Sequence, residues 1–190
     1  MRTTTGWRAT STSEVGRAQV RRRELRADDL AVRVDYCGVC HTDVHALGAY
    51  DAGAQAPLVP GHEFTGTVTE VGAGVRGFEV GDRVAVGNIV DSCGTCAMCE
   101  AGQENFCRSF PTLTYGGTDR HDGSTTLGAY SREYVVRDAF AYPLPAGLDP
   151  AAAAPLLCAG ITVWEPLRAL GVGGGAGSPW PGSAGSATSR

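Results

Sequence analysis

The sequence predicts a mainly β domain with short helices, compact and barrel-like. Short stretches with apolar residues at alternate positions recur at residues 30–36, 64–71 and 82–86, the period of a half-buried strand. Glycine accounts for 27 of the 190 residues, and its placement between these stretches suits tight turns. Further strands are expected at residues 130–136 and 139–142, after a long segment, residues 88–127, with little regular structure. Short strands punctuated by glycine argue for a barrel-like domain rather than a parallel sheet.

Taken in order, residues 1–13 are rich in Thr, Ser and Arg and lack acidic residues. That composition is close to a transit peptide's but reads better as a flexible, frayed or weakly paired N-terminus, so the protein is expected to be cytoplasmic. Residues 14–36 alternate charged and apolar positions and end in the clearest strand, carried by Val32 and Val34. A short helix is expected over residues 41–47, a Gly/Ala loop over 48–56, and a turn over 57–61 that delivers His62. Residues 72–81 read as a hairpin-like excursion. Asp149 can cap a helix with Pro150 at its first position, continued by the Ala-rich residues 151–157, and residues 161–170 form a second helix. Residues 171–190 are mostly Gly, Ser, Ala and Pro, with one Trp, and read as a disordered tail.

With 43% apolar residues the chain can bury a core. A net charge of −4, with no basic, aromatic stripe, argues against a nucleic-acid partner. No apolar run approaches the roughly 18 residues of a membrane-spanning helix. Seven cysteines without a secretory signal point to metal or catalysis before disulfides.

Two cysteine groups stand out. Cys93, Cys96, Cys99 and Cys107 follow the pattern C-x2-C-x2-C-x7-C. Four thiolates suit a closed tetrahedral zinc that pins a loop too polar to pack by itself. An iron–sulfur cluster is the rival, but its compact run has a shorter last spacing and a following Pro, where this chain has Arg108. A redox dithiol is less economical with four cysteines. Cys40 and His62, with Cys158 as a distant third ligand, suit a catalytic zinc, which takes three protein ligands and keeps one position open. Alternative readings stand beside these. Cys158 suits an ordinary buried position in an Ala-rich helix, Thr42 a helix cap, and Asp43 and His45 a solvated helix face. Cys37 reads as a strand-end thiol rather than half of a zinc knuckle, and His121 as a solvated loop residue.

These motifs resemble the zinc-dependent medium-chain alcohol dehydrogenases, most closely the cinnamyl-alcohol-dehydrogenase-like branch. The matching residues are 38–45 (GVCHTDVH), 60–63 (PGHE), 81–84 (GDRV), the 93/96/99/107 lobe and 154–162 (APLLCAGIT), in the family's order from about residue 25 to 170. The resemblance implies a GroES-like catalytic domain over residues 14–157, with Cys40, His62 and Cys158 on the catalytic zinc and Glu63 as an occasional ligand. It implies two zincs per chain and an NAD(P) cofactor. The metal favours loss of an alcohol's proton, and the nicotinamide accepts the hydride. Thr42 would take the proton first and His45 pass it outward, Asp43 would orient His62, His41 would face the cofactor pyrophosphate, and Thr162 would lie beside the nicotinamide.

The resemblance ends near residue 172. Residues 158–172 read as a helix leading toward a nucleotide-binding domain, and the Rossmann domain itself is absent from the sequence: no strand with G-x-G-x-x-G follows. All 16 basic residues are Arg, the bias of a GC-rich gene. With GC-rich codons, residues 178–190 read one base earlier become Val-Ala-Val-Ala-Gly-Leu-Gly-Gly-Leu-Gly-His-Val-Ala, a buried strand and the missing fingerprint. The tail, residues 173–190, is therefore expected to be a frame-shifted start of that domain. The expected function is reversible, NAD(P)-linked oxidation of a primary alcohol to an aldehyde. Full-length relatives are expected to be homo-oligomers, and the partner a small-molecule alcohol or aldehyde. The alternative is a catalytically inactive, truncated zinc-binding module, and this chain alone is expected to show little or no turnover. The coding DNA tests the tail reading, which fails if the other frame holds no dinucleotide fingerprint.

Overall fold

The computed structural model describes residues 1–50 and 57–172. β1 (Arg2–Ala9) and β2 (Val15–Arg22) form an antiparallel ribbon. There follow β3 (Asp29–Cys37), α1 (His41–Gly48), β4 (Phe64–Val71), β5 (Arg83–Val86), β6 (Ile89–Asp91) and α2 (Ala97–Glu100). The chain continues with β7 (Thr112–Leu113), β8 (Glu133–Arg137), β9 (Tyr142–Pro143), α3 (Pro150–Ala153) and α4 (Ala159–Ala169). A five-stranded antiparallel sheet in the order β8-β3-β4-β5-β9 is the centre of the domain, and β6 and β7 form a second small ribbon.

Alternation explains the sheet. Leu30 and Val32 lie opposite Val71 and Val68 on one side and Val136 and Tyr134 on the other. Their side chains meet Phe64, Val84 and Val86 in one core, in which these apolar side chains are almost fully buried. Each contributes roughly 1.5–3 kcal/mol by leaving water. Gly66 is forced by packing, because a Cβ there would lie 2.2 Å from the Arg33 carbonyl oxygen.

The strands at residues 30–36, 64–71 and 82–86 form within a residue or two of expectation. Asp149 caps α3 through the Ala151 amide at 2.9 Å, with Pro150 in the first turn. That helix stops at Ala153 and tightens to a 3-10 turn, Ala154–Leu157. Residues 88–127 gain more order than expected, in β6, β7 and α2. Residues 139–142 differ: a 3-10 turn over Asp138–Phe140 precedes only two strand residues, and Pro143, without an N–H, cannot extend the ladder as a donor.

The N-terminal reading also needs correction. Residues 2–9, expected to be flexible, are paired along their whole length with β2. The Trp7 amide donates to the Tyr130 carbonyl at 2.7 Å, the Ala9 amide to that of Leu58 at 2.8 Å, and the Arg132 amide to that of Thr5 at 2.9 Å. Arg22 is buried beneath the ribbon, donates to the carbonyls of Glu133, Leu127 and Gly128 and to Ser131 Oγ, and lies over the Tyr134 ring. The tail reading falls on residues 173–190, outside the described residues. Among the described residues, no helix is long and apolar enough to cross a membrane.

Asp119 anchors the loop that precedes β8. Its carboxylate takes both Arg26 guanidinium nitrogens at 2.9 Å and the His121 amide at 2.8 Å. Burial alone would raise its pKa, but Arg26 and the His121 and Asp122 amides hold it at about 2. A carboxyl depressed in the fold stabilises above its unfolded value, here 3.8, and loses that contribution as pH falls through the folded value. The urea midpoint is therefore expected to drop between pH 4 and pH 2, and Asp119→Asn to flatten that part of the profile. An unaltered slope in the variant would refute the assignment.

Candidate metal centres

Strand pairing brings the first cluster together. Cys37 at the end of β3 lies opposite Phe64 at the start of β4, so the residues after β3 and those before β4 emerge side by side. Cys40 caps the start of α1, and His62 arrives from the other side. Gly61, between them, has φ +95°, and a Cβ there would lie 2.6 Å from the Tyr130 ring, so the turn requires glycine. The third arm comes through Thr65, whose hydroxyl donates to the Pro150 carbonyl at 2.9 Å and ties α3 to β4. Cys158 follows at the irregular junction into α4 (φ −127°, ψ −73°).

The donor atoms of Cys40, His62 and Cys158 lie within 4.8 Å of one another. The two sulfurs are 3.8 Å apart, and two thiolates on one tetrahedral zinc at about 2.3 Å each sit about 3.8 Å apart. His62 is fully buried, its Nδ1 is 3.1 Å from Asp43 Oδ1, and its Nε2 has no hydrogen-bond partner among the described residues. A buried nitrogen without a partner costs free energy, and a metal in line with it would relieve that cost. The charges agree. The Thr42 amide holds the Cys40 thiol below its ordinary value, while burial pushes the Cys158 thiol up to about 12. Burial opposes protonation of His62, and the Asp43 carboxylate outweighs it, so the imidazole pKa is raised. Two sulfurs this close can both ionise only with a cation between them, so the donor set fits zinc.

Asp43 is 2% exposed. Burial alone would raise its pKa, yet His62 and the amides of Gly61 and Cys40 hold it below its usual range. Its position rules out the solvated-face reading. Thr42 is not the helix cap; its hydroxyl lies 3.6 Å from Cys40 Sγ on the exposed edge of α1. His41 and His45 are exposed on the same helix, their rings edge to face at 4.4 Å. Glu63 is buried beside Gly38 with Oε2 unpartnered among the described residues, and burial raises its pKa. It does not join the three-donor group. Thr162 is exposed on the first turn of α4, its amide donating to the Cys158 carbonyl at 3.0 Å. Cys37 belongs to neither cluster and is buried enough to push its thiol up to about 12.

The second cluster is local. Cys93, Cys96, Cys99 and Cys107 place their sulfurs within 4.8 Å of one another. Cys96 caps α2, and Cys107 follows a 3-10 turn, Glu104–Phe106. Amides point at the sulfurs: Cys93 N–H at Cys107 Sγ, 3.4 Å, and Arg108 N–H at Cys96 Sγ, 3.5 Å. The Thr95 amide and the neighbouring thiol of Cys107 hold Cys93 down at about 6. Four sulfurs gathered in one group, two of them accepting backbone amides, suit a closed zinc site.

Two residues had no signal in the sequence. Tyr130 donates from its hydroxyl to Asp43 Oδ2 at 3.2 Å, and the Tyr115 ring stands 5.8 Å from His62. Each is a single aromatic in a loop, far along the chain, with no spacing to mark it.

Residues 26–146 match the family model for the alcohol dehydrogenase GroES-like domain. A rice protein named as a probable cinnamyl alcohol dehydrogenase 8D is 46% identical over 89% of this chain and 46% of its own length. The structure of a cinnamyl alcohol dehydrogenase from Sorghum bicolor superposes with a TM-score of 0.83 at 41% identity, covering 90% of this chain and 48% of that one. A cinnamyl alcohol dehydrogenase from Helicobacter pylori, solved with NADP(H), gives a TM-score of 0.82 at 35% identity, over 90% of this chain and 49% of that one. The chain thus spans about half the length of the relatives it matches.

Elemental analysis of purified protein is expected to find two zincs per chain, and Cys107→Ser to leave one, with loss of order confined to the lobe around α2. Asp43→Ala is expected to weaken metal at the three-donor site by about 10–100-fold, read by competition with a chromogenic chelator. Equal retention in the variant would overturn the role given to Asp43.

Proposed function

The chain belongs to the zinc-dependent alcohol dehydrogenase family, through its GroES-like domain, and from that premise we propose that it carries the zinc-binding catalytic half of an NAD(P)-linked dehydrogenase. The reaction is reversible oxidation of a primary alcohol to an aldehyde. The observation that carries this reading is the convergence of Cys40, His62 and Cys158, 118 residues apart at the extremes, around a fully buried imidazole whose Nε2 has no partner among the described residues.

In this reading Cys40, His62 and Cys158 would hold zinc, whose Lewis acidity would polarise a substrate oxygen and ease loss of the alcohol proton. Asp43 fixes the ring of His62 and keeps its Nδ1 occupied, so that Nε2 faces the metal. The Thr42 hydroxyl, close to Cys40 Sγ and exposed, receives the proton, and His45, exposed further along the same helix, passes it to solvent. His41 would meet the phosphates of the cofactor, and Thr162 would border its nicotinamide. Glu63, buried next to the site, is held in reserve as a further ligand. Cys93, Cys96, Cys99 and Cys107 hold a second zinc that only stabilises the lobe. The NADP(H) in the Helicobacter pylori relative supports that cofactor. In this reading the protein works in the cytoplasm, where seven thiols stay reduced, on small alcohols and aldehydes, and homo-oligomers are expected of its full-length relatives.

A second reading follows from the coverage: a zinc-binding module without turnover, since the chain spans about half of its relatives' length. Alcohol-dependent reduction of NADP or NAD by the zinc-loaded protein separates the two. Turnover is expected to fall about 10²–10⁴-fold in Thr42→Ala and to vanish in Cys40→Ser. Two bound zincs with no turnover would instead establish the module.

A further inference from the structure

We propose that Tyr130 is a positioning residue for the three-donor metal site: its hydroxyl locks the Asp43 carboxylate, and through it the ring of His62. The inference rests on the zinc reading above. A carboxylate offers about four lone-pair positions, and all four are filled. Oδ1 accepts from the Gly61 amide at 2.9 Å and faces His62 Nδ1 at 3.1 Å. Oδ2 accepts from the Cys40 amide at 3.1 Å and from the Tyr130 hydroxyl at 3.2 Å.

The first three contacts come from the segments that carry the ligands, so they can move with those segments. Tyr130 is the outside reference. Its own amide donates to the Pro60 carbonyl at 3.0 Å, its carbonyl accepts from Trp7 at 2.7 Å, and its ring lies against Gly61 where a Cβ would come within 2.6 Å. The hydroxyl is therefore tied to the β1–β2 ribbon and to the turn before His62 at once. Its other neighbour, the Gly38 carbonyl at 3.3 Å, belongs to the loop that leads to Cys40. A single hydroxyl thus joins the ribbon, both ligand-bearing loops and the carboxylate that aims the imidazole.

Tyr115 provides the internal comparison. Its hydroxyl is also buried near the site, close enough for burial and the Asp43 charge to raise its pKa, but it makes no hydrogen bond among the described residues, as expected if every acceptor position on Asp43 is already taken.

The test loads the protein with cobalt(II), whose visible bands distinguish a four-thiolate site from one with two thiolates and an imidazole. Tyr130→Phe keeps the ring over Gly61 and removes only the hydroxyl. Cobalt affinity at the three-donor site is expected to fall about tenfold, the lower end for partners of a ligating histidine, with its bands shifted. The four-cysteine bands, which report folding in the same sample, stay unchanged. Tyr115→Phe is expected to leave both sites unchanged. In an Asp43→Ala background, Tyr130→Phe is expected to have no further effect. Unchanged affinity and bands in Tyr130→Phe, an equal loss in Tyr115→Phe, or an undiminished loss in the Asp43→Ala background would each overturn the proposal. Cobalt entering only the four-cysteine site of the unaltered protein would overturn the zinc reading as well.

Discussion

A buried carboxylate governs this domain. Asp43 keeps its charge where water cannot solvate it, and a charge so placed is tolerated only when paired and hydrogen-bonded. Its four contacts come from Cys40, Gly61, His62 and Tyr130. Three separated stretches of chain must therefore converge, and their convergence creates the ligand geometry. The sheet makes this affordable: the pairing of Cys37 with Phe64 sets the start of α1 against the turn before His62 whatever happens at the site. Core burial supplies the stability, and the carboxylate converts it into a fixed orientation of one imidazole.

The two cysteine clusters use opposite strategies. The four-cysteine lobe draws its donors from fifteen consecutive positions and surrounds them with backbone amides, so it can be organised by metal with little help from the core. The three-donor site is the reverse. It needs β3, β4 and α3 in place: Thr65 holds the Pro150 carbonyl, and Ala153 and Leu157 pack with Ala85 and Leu144 just before Cys158. Closure suits a structural metal, and an incomplete ligand set beside the exposed edge of α1, with Thr42, His41 and His45, suits chemistry.

Legibility in the sequence followed the same division. β3, β4 and β5 were readable because each is a short run rich in Val set off by turn residues, although consecutive residues are buried there and both faces are covered over much of each strand, and the four-cysteine lobe because its thiols are close in sequence. β1 was not readable: of its eight residues only Gly6 and Ala9 are buried, and main-chain pairing with β2 holds it, which leaves no apolar period. Residues 139–142 misled because Phe140 is apolar and buried yet sits in a turn. Cys40, His62 and Cys158 became legible through resemblance, since no local spacing links positions 118 residues apart. Tyr130 escaped altogether: its role depends on a hydroxyl reaching a carboxylate 87 residues away, and composition records nothing of that.

The three donors of the proposed metal site are not equally constrained by the fold. Cys40 and His62 are fixed through Asp43. Cys158 is held by backbone alone, at a junction with irregular dihedral angles, and α4 beyond it packs chiefly on the 3-10 turn that precedes it. Ile161, Val163 and Trp164 of that helix remain exposed, so little apolar burial anchors it to the sheet. Burial also keeps the Cys158 thiol protonated, whereas Cys40 is already inclined to ionise. Metal binding must then do two things at this one residue, releasing its proton and fixing its helix, and both lower the net affinity. The same asymmetry makes α4 the element most responsive to the metal. A ligand that completes the coordination of Cys158 reaches through one sulfur to the start of the helix that carries Thr162, so occupancy of the metal site and placement of α4 are thermodynamically linked.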